Sequence, residues 1–97
     1  MSMEVVIVNT TDSGDPAGWW FGSNKHAESC DYLVEENNGK IINVYTFSGT
    51  SEKDKNGRFS FLNLVEVKSS IIVDRIKKDV DVSRKRGEQN SVRYCTL

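Results

Sequence analysis

The sequence predicts a small α+β domain, mostly β, in which about five to six short strands form a partly closed β-barrel with one or two short helices. Three observations favour this fold. β-branched and aromatic residues recur in runs of roughly strand length. Turn-forming residues separate these runs, and only one segment has a dependable helical pattern. The chain has 97 residues, so we assign a single domain to 1–97.

Composition excludes several classes of protein. The chain is 37% hydrophobic and 28% charged, which is ordinary for a globular protein and unlike a disordered one. The sequence has no apolar run of membrane-spanning length, and its start lacks the pattern of a signal peptide. We therefore expect a cytoplasmic protein that has no membrane partner.

The net charge of −1 conceals an uneven distribution along the chain. Residues 1–40 carry seven acidic residues and two lysines, whereas residues 41–97 carry eleven basic residues and seven acidic ones. The basic residues are densest towards the C-terminus: Arg75, Lys77, Lys78, Arg84, Lys85, Arg86 and Arg93. A basic face of this kind binds phosphate backbones because neutralised phosphates release counterions, although a solvated charged surface has the same composition.

The N-terminal part holds a strand and an aromatic segment. Residues 3–9 contain a continuous β-branched run, Val5-Val6-Ile7-Val8, which is typical of a strand buried on both faces. A polar loop of about nine residues follows and is long enough to carry function. The segment 18–23 then contains both tryptophans and is predicted to enter the second strand. Strand alternation places Trp19 and Phe21 on one face and Trp20 on the other.

A short helix and a hairpin follow the aromatic segment. The side chain of Ser23 is predicted to cap a helix over 24–31, with Ala27 and Cys30 facing inward. The sequence Asn37-Asn38-Gly39 then predicts a tight hairpin turn, because Asn and Gly tolerate positive φ. The two hairpin strands are predicted over 32–36 and 40–47. Alternation divides the second of these strands into two faces, with Ile42, Val44 and Thr46 opposite Ile41, Tyr45 and Phe47.

The C-terminal half contains one ambiguous segment. Residues 58–67 alternate like a strand, with Phe59, Phe61, Leu62 and Leu64 predicted to supply core. We expect residues 71–73 to be extended and to be followed by a weak helical turn. A short amphipathic helix is the alternative, because Ile72, Ile76 and Val80 also fit a four-residue spacing. A basic loop over 83–88 and a last strand over 91–96 complete the prediction.

The titratable residues give little indication of catalysis. His26 is the single histidine, and Cys30 and Cys95 are far apart, so a zinc site would need carboxylate ligands. We expect reduced thiols, no metal and no cofactor; a disulfide requires the chain end to lie beside residue 30. His26 has Glu28, Ser23 and Cys30 nearby in sequence, but no nucleophile motif surrounds them, so we expect a protein that is not an enzyme.

Five short motifs occur in a defined order along the chain. They are Trp19-Trp20-Phe21-Gly22-Ser23, Asp31-Tyr32, Gly39 with Val44-Tyr45, Arg58-Phe59-Ser60-Phe61, and Gly87-Glu88-Gln89-Asn90-Ser91-Val92-Arg93-Tyr94. This order resembles the PUA-like superfamily, in particular the small modules found beside bacterial restriction and defence nucleases. Two departures are Ser91, where the family usually has proline, and the doubled tryptophan. The chain is also faintly similar to short orphan proteins of bacterial mobile gene cassettes.

The resemblance implies a non-catalytic binding module that recognises a base, including a modified one, extruded from a nucleic acid. In that interpretation Trp20 or Trp19 stacks on the base and Tyr45 or Tyr94 forms the opposite wall. The implied edge-reading residues are Ser23, Asn43, Gln89 and Asn90, and the implied phosphate-binding residues are Arg84, Lys85, Arg86 and Arg93.

Two alternatives accompany this interpretation. Core packing accounts for the presence of the two tryptophans as well as ligand binding does, since a small domain needs large apolar side chains in its core. The second alternative is a small-ligand or protein-interaction module that acts as a homodimer and buries the apolar face of an open barrel. The sequence leaves the ligand open between DNA, RNA, a nucleotide and something unrelated, and it does not fix the oligomeric state.

Overall fold

The structure is a computed structural model, and it describes residues 3–11, 14–80, 82 and 92–97. The described residues contain nine strands and two helices. In chain order these are β1 (Glu4–Asn9), β2 (Trp20–Phe21), α1 (Asn24–Glu28), β3 (Tyr32–Asn37), β4 (Lys40–Thr46), β5 (Gly49–Thr50), β6 (Arg58–Phe59), β7 (Phe61–Leu62), β8 (Val65–Glu66), α2 (Ser70–Asp79) and β9 (Val92–Thr96).

The central element is a five-stranded sheet in the order β8-β4-β3-β1-β9. Strands β1 and β3 are parallel, and the other neighbours are antiparallel. Two small antiparallel pairs, β2 with β6 and β5 with β7, lie outside this sheet. The mostly β composition and the short helices are as predicted. The described strands, however, form an open sheet with edges β8 and β9 and do not close into a barrel.

The sheet is covered on both faces, so its apolar side chains are buried without closure into a barrel. One face packs in a cluster with α1 and the small strand pairs: Val6, Val8, Trp20, Ala27, Cys30, Leu33, Phe59 and Phe61. The other face packs against α2 in a second cluster: Val5, Ile7, Val34, Val44, Ile76, Val80 and Val82. The continuous apolar run of β1 supplies both clusters, as predicted for a strand buried on two faces. Layers of helix and short strand therefore bury the apolar surface.

The segment 71–73 is helical, so the prediction of an extended conformation is wrong. It lies in α2, where Ile76 is fully buried and Ile72 and Val73 pack against the second cluster. Their helical spacing places one apolar stripe on the sheet, and this burial outweighs the local preference of β-branched residues for strands.

The segment 58–67 divides into three two-residue strands instead of one strand. Phe59 and Phe61 are buried as predicted, but Leu62 is 41% exposed and does not belong to the core. Asn63 has a φ of 55°, a left-handed conformation that interrupts the extended backbone. The interruption redirects the chain from β7 to the sheet edge at β8.

The predicted hairpin is present, with positive φ at Asn38 (52°) and Gly39 (83°). Its register contains a bulge, because Glu35 pairs with Asn43 while Glu36 pairs with Ile41. Ile42 is the additional residue and is exposed. Strict alternation is therefore wrong at Ile41, which packs with the same cluster as Val44.

The two cysteines are free and belong to opposite faces of the sheet. Cys30 is buried in the first cluster, and Cys95 packs against the second. The last strand is present over Val92–Thr96, while Ser91 and the predicted basic loop over 83–88 lie outside the described residues. No helix in the described part of the chain is long and apolar enough to cross a membrane.

Candidate functional site

The two adjacent tryptophans have opposite environments. Trp20 is 6% exposed, and its Nε1–H donates to the carbonyl of Pro16 at 3.1 Å. Trp19 is 56% exposed. The predicted alternation is confirmed here: Trp20 is a core residue, and Trp19 presents its indole to solvent.

Phe21 is the second exposed aromatic residue, with 58% of its surface accessible. It pairs with Arg58 across β2 and β6, and the Arg58 guanidinium lies 4.3 Å from the centre of the Phe21 ring. This geometry is a cation–π contact. We call Trp19, Phe21 and Arg58 the aromatic surface. It combines two accessible ring systems with one positive charge.

The loop that leads into Arg58 carries further positive charge. Lys53 and Lys55 are both exposed in it. The Asp54 carboxylate is occupied within the turn, since its Oδ1 accepts from the backbone N–H groups of Asn56 at 2.8 Å and Arg58 at 3.0 Å. The turn therefore fixes the backbone of Arg58, and the two lysines shortly precede Arg58 in the chain.

Two predicted ligand-binding residues, Asn43 and Tyr45, donate hydrogen bonds to a buried carboxylate. The Asn43 amide and the Tyr45 hydroxyl each donate to Glu35 Oε1 at 3.2 Å, and the Thr10 hydroxyl donates to Oε2 at 2.6 Å. Glu35 is 4% exposed. Burial, followed by the charge of Glu35, raises the pKa of Tyr45 to about 12. These side chains satisfy a carboxylate at the end of the parallel strands.

Arg93, predicted to bind phosphate, forms an ion pair with the neighbouring buried carboxylate, Glu36. Its Nη2 donates to Glu36 Oε1 at 3.2 Å and to the Val82 carbonyl at 3.0 Å. The side chains of Arg93 and Glu36 are 13% and 1% exposed. Glu36 also accepts from the Asn9 amide at 2.9 Å and from the backbone N–H of Gly39 at 3.1 Å. This buried network joins β1, the hairpin and β9.

Sequence reasoning missed the role of Glu35 and Glu36. Their signal is present as two consecutive acids that directly follow Leu33 and Val34 within one strand. Carboxylates at such positions need donors, because a buried charge without partners is strongly destabilising.

Ser23 and Tyr94 belong to a third group of contacts around α1. Ser23 is the predicted N-cap, and its Oγ accepts from the backbone N–H of His26 at 3.1 Å. The Tyr94 ring stacks on the His26 ring with centroids 3.7 Å apart, and its hydroxyl donates to the Ser23 carbonyl at 3.3 Å. His26 Nε2 lies 3.0 Å from Glu4 Oε2. Both predicted site residues therefore have contacts that position the helix.

The predicted site residues that the structure describes lie in different groups of contacts. The first core cluster includes Trp20, and Tyr45 and Tyr94 pack against it. A cleft of about 300 Å³ lies elsewhere, at the end of α2 and the start of β4, and is lined by Gly39, Lys40, Ile41, Lys77, Val80 and Val82. The remaining predicted residues lie outside the described ranges: Arg84, Lys85, Arg86, Gln89 and Asn90.

Comparison with known proteins gives no match to a protein-family model, a curated protein or a solved structure.

Proposed function

We propose that the protein is a non-catalytic binding module whose aromatic surface stacks on the bases of single-stranded nucleic acid. The observation that carries the proposal is the pairing of Phe21 with Arg58 beside an exposed Trp19. Every base has a π-face, so exposed aromatic rings and a guanidinium plane accept bases without requiring a particular sequence.

The expected affinity is modest. Each base stacked on an aromatic side chain contributes about 1–3 kcal/mol by alanine substitution. Lys53 and Lys55, which are exposed in the loop before Arg58, supply phosphate contacts, but the net charge of −1 limits the electrostatic contribution. The protein is therefore a binder of short, unpaired segments, with stacking as the main source of free energy.

A more specific form of this proposal is a PUA-like reader of an extruded or modified base. The order of the sequence motifs supports it, and Trp19 is the indole that remains accessible for stacking. In this form the basic residues Arg84, Lys85 and Arg86 contact the phosphates that flank the base.

Tryptophan fluorescence tests the general proposal. Titration with short oligothymidylates at low salt should change the emission of Trp19, and the affinity should fall as salt rises. In a Trp19→Phe variant the emission change should disappear, while a labelled oligonucleotide still binds because a stacking ring remains. An unchanged emission and no binding of the labelled oligonucleotide at low salt would contradict the proposal.

A homodimer is the second candidate, and the apolar character of the same surface favours it. Trp19 and Phe21 are each more than half exposed, and large apolar residues of this kind bury well against a second copy. Light scattering should then give a doubled mass that Phe21→Glu returns to that of a monomer. A monomeric mass at all concentrations would exclude this candidate.

A further inference from the structure

Three chemically different side chains converge at the start of β1, beside α1. They are Glu4 from the first position of the strand, His26 from the helix, and Cys30 from the turn after it. One carboxylate oxygen, one imidazole nitrogen and the Cys30 Sγ all lie within 4.8 Å of one another. We propose that Glu4, His26 and Cys30 form a zinc-binding site with one coordination position open to solvent.

The distances fit the size of a zinc ion. Ligand atoms that are bound at about 2.0–2.3 Å in a tetrahedron lie roughly 3.3–3.6 Å from each other. Glu4 Oε2 and His26 Nε2 are already 3.0 Å apart, and Cys30 Sγ lies within 4.8 Å of a carboxylate oxygen of Glu4 and a ring nitrogen of His26. Small side-chain rotations therefore suffice to place the three atoms around one ion.

The ligand set also fits the charge and softness of zinc. Carboxylate, imidazole and thiolate are its three usual protein ligands. One carboxylate and one thiolate together balance the two positive charges of the ion, and the neutral imidazole adds none. A harder cation such as magnesium prefers oxygen ligands alone, so this mixed set selects against it.

The surrounding contacts hold the ligands in place. The backbone N–H of Glu4 donates to Asp31 Oδ2 at 3.0 Å, and the N–H of Asp31 donates to the Glu4 carbonyl at 2.8 Å. These two bonds fix the strand beside the residue that follows Cys30. The His26 ring is held by its stacking on Tyr94, with an angle of 10° between the ring planes. Contacts that orient the ligands in this way strengthen metal binding.

The exposure of the ligand side chains leaves one coordination position accessible to solvent. The side chains of His26 and Glu4 are 43% and 32% exposed, whereas Cys30 is buried. The ion thus lies at the protein surface with its sulfur ligand on the inner side. Three protein ligands and an accessible fourth position suit a bound water or an external ligand atom.

Cobalt provides the direct test because it occupies zinc sites and has a visible spectrum. The metal-free full chain, titrated with Co²⁺, should develop a sulfur-to-cobalt charge-transfer band and the intense visible bands of a tetrahedral ion, with one ion bound per chain. Added Zn²⁺ should abolish both. Cys95→Ser is the matched control and should retain the full spectrum, because Cys95 packs against the opposite face of the sheet.

Ligand variants separate this site from adventitious binding. Cys30→Ser should lose the charge-transfer band, and His26→Gln and Glu4→Gln should each lower the Co²⁺ affinity by at least about 10-fold. The last two replace partly exposed side chains, so they remain informative if Cys30→Ser does not fold. Absence of the bands from the parent chain, or affinities that are unchanged in both His26→Gln and Glu4→Gln, would overturn the proposal.

Discussion

Trp19 and Trp20 are adjacent in the chain, yet their indole rings face opposite environments: Trp19 is 56% exposed and Trp20 is 6% exposed. The division follows from strand geometry, since neighbouring side chains in an extended segment point to opposite faces. Trp20 completes the core beside Phe59, its partner across β2 and β6. Trp19 is left on the outer side with Phe21. One residue of the pair therefore supports the fold, and the other belongs to the proposed binding surface.

Replacing each tryptophan should separate these roles in stability. Trp20→Phe removes buried volume and the donor to the Pro16 carbonyl, so we expect the free energy of unfolding to fall by about 1–3 kcal/mol. Trp19→Phe should change it by less than about 0.5 kcal/mol, because surface substitutions have small effects. Urea unfolding followed by circular dichroism measures both. Equal losses in the two variants would contradict the assignment of core and surface.

The buried pair of Arg93 and Glu36 should be a major determinant of stability. Arg93→Met removes the arginine partner of a carboxylate that is 1% exposed, and we expect a loss of about 3 kcal/mol. The double variant Arg93→Met with Glu36→Met should lose less than the sum of the two single variants, since both single variants already remove the same ion pair. A double-mutant cycle by urea unfolding measures the coupling. Additive losses would show that the two side chains act independently.

Ser23 should act as a helix cap and not as a reader of a base edge. Ser23→Ala removes the acceptor for the His26 N–H and should lower the free energy of unfolding by about 1 kcal/mol. Ser23→Asp keeps an acceptor and should retain most of the stability. Oligonucleotide affinity should be unchanged in both variants. A loss of affinity in Ser23→Ala without a loss of stability would instead support the edge-reading role.

Tyr45 should make the stability depend on pH in the alkaline range. Burial and the neighbouring Glu35 raise the pKa of Tyr45 from 10.0 to about 12, so the folded state retains a proton that the unfolded state loses first. The stability that Tyr45 contributes is fully present below its pKa in the unfolded state. It is lost as pH rises through its pKa in the folded state. Unfolding measured across this range should show a shallower decline in Tyr45→Phe than in the parent chain. Tyr32→Phe is the matched control. If the stability of Tyr32→Phe declined with pH as shallowly as that of Tyr45→Phe, the assignment of the effect to Tyr45 would be contradicted.

Local patterns were enough to predict the elements that depend on neighbouring residues. The buried strand β1, the Ser23 cap and the Asn38-Gly39 turn all follow from side-chain type and short spacing. The helix α2 was not predicted, because its stripe of isoleucine and valine fits two periodicities, and only packing against the sheet decides between them. The open sheet depends in the same way on which layers cover its faces.

The candidate sites also contain some features that follow from local sequence and others that depend on long-range contacts. Strand alternation predicted the separation of Trp19 from Trp20, which needs only local geometry. The partners of Glu35 and Glu36 come from β1, the hairpin and β9, and such long-range contacts leave no spacing pattern in the sequence. The convergence of Glu4 on His26 was equally hidden, since 22 positions separate them in sequence.

The affinity of the aromatic surface for a labelled oligothymidylate, measured by fluorescence anisotropy at low salt, tests the binding proposal most directly. Trp19→Ala and Phe21→Ala should each weaken binding by about 5- to 150-fold, which corresponds to the loss of one stacked base. Ile71→Ala is the matched control: Ile71 is 81% exposed, but it lies on α2, which covers the other face of the sheet, so its removal should leave the affinity unchanged. Equal affinities in the parent chain and all three variants would contradict the proposal that this surface binds nucleic acid.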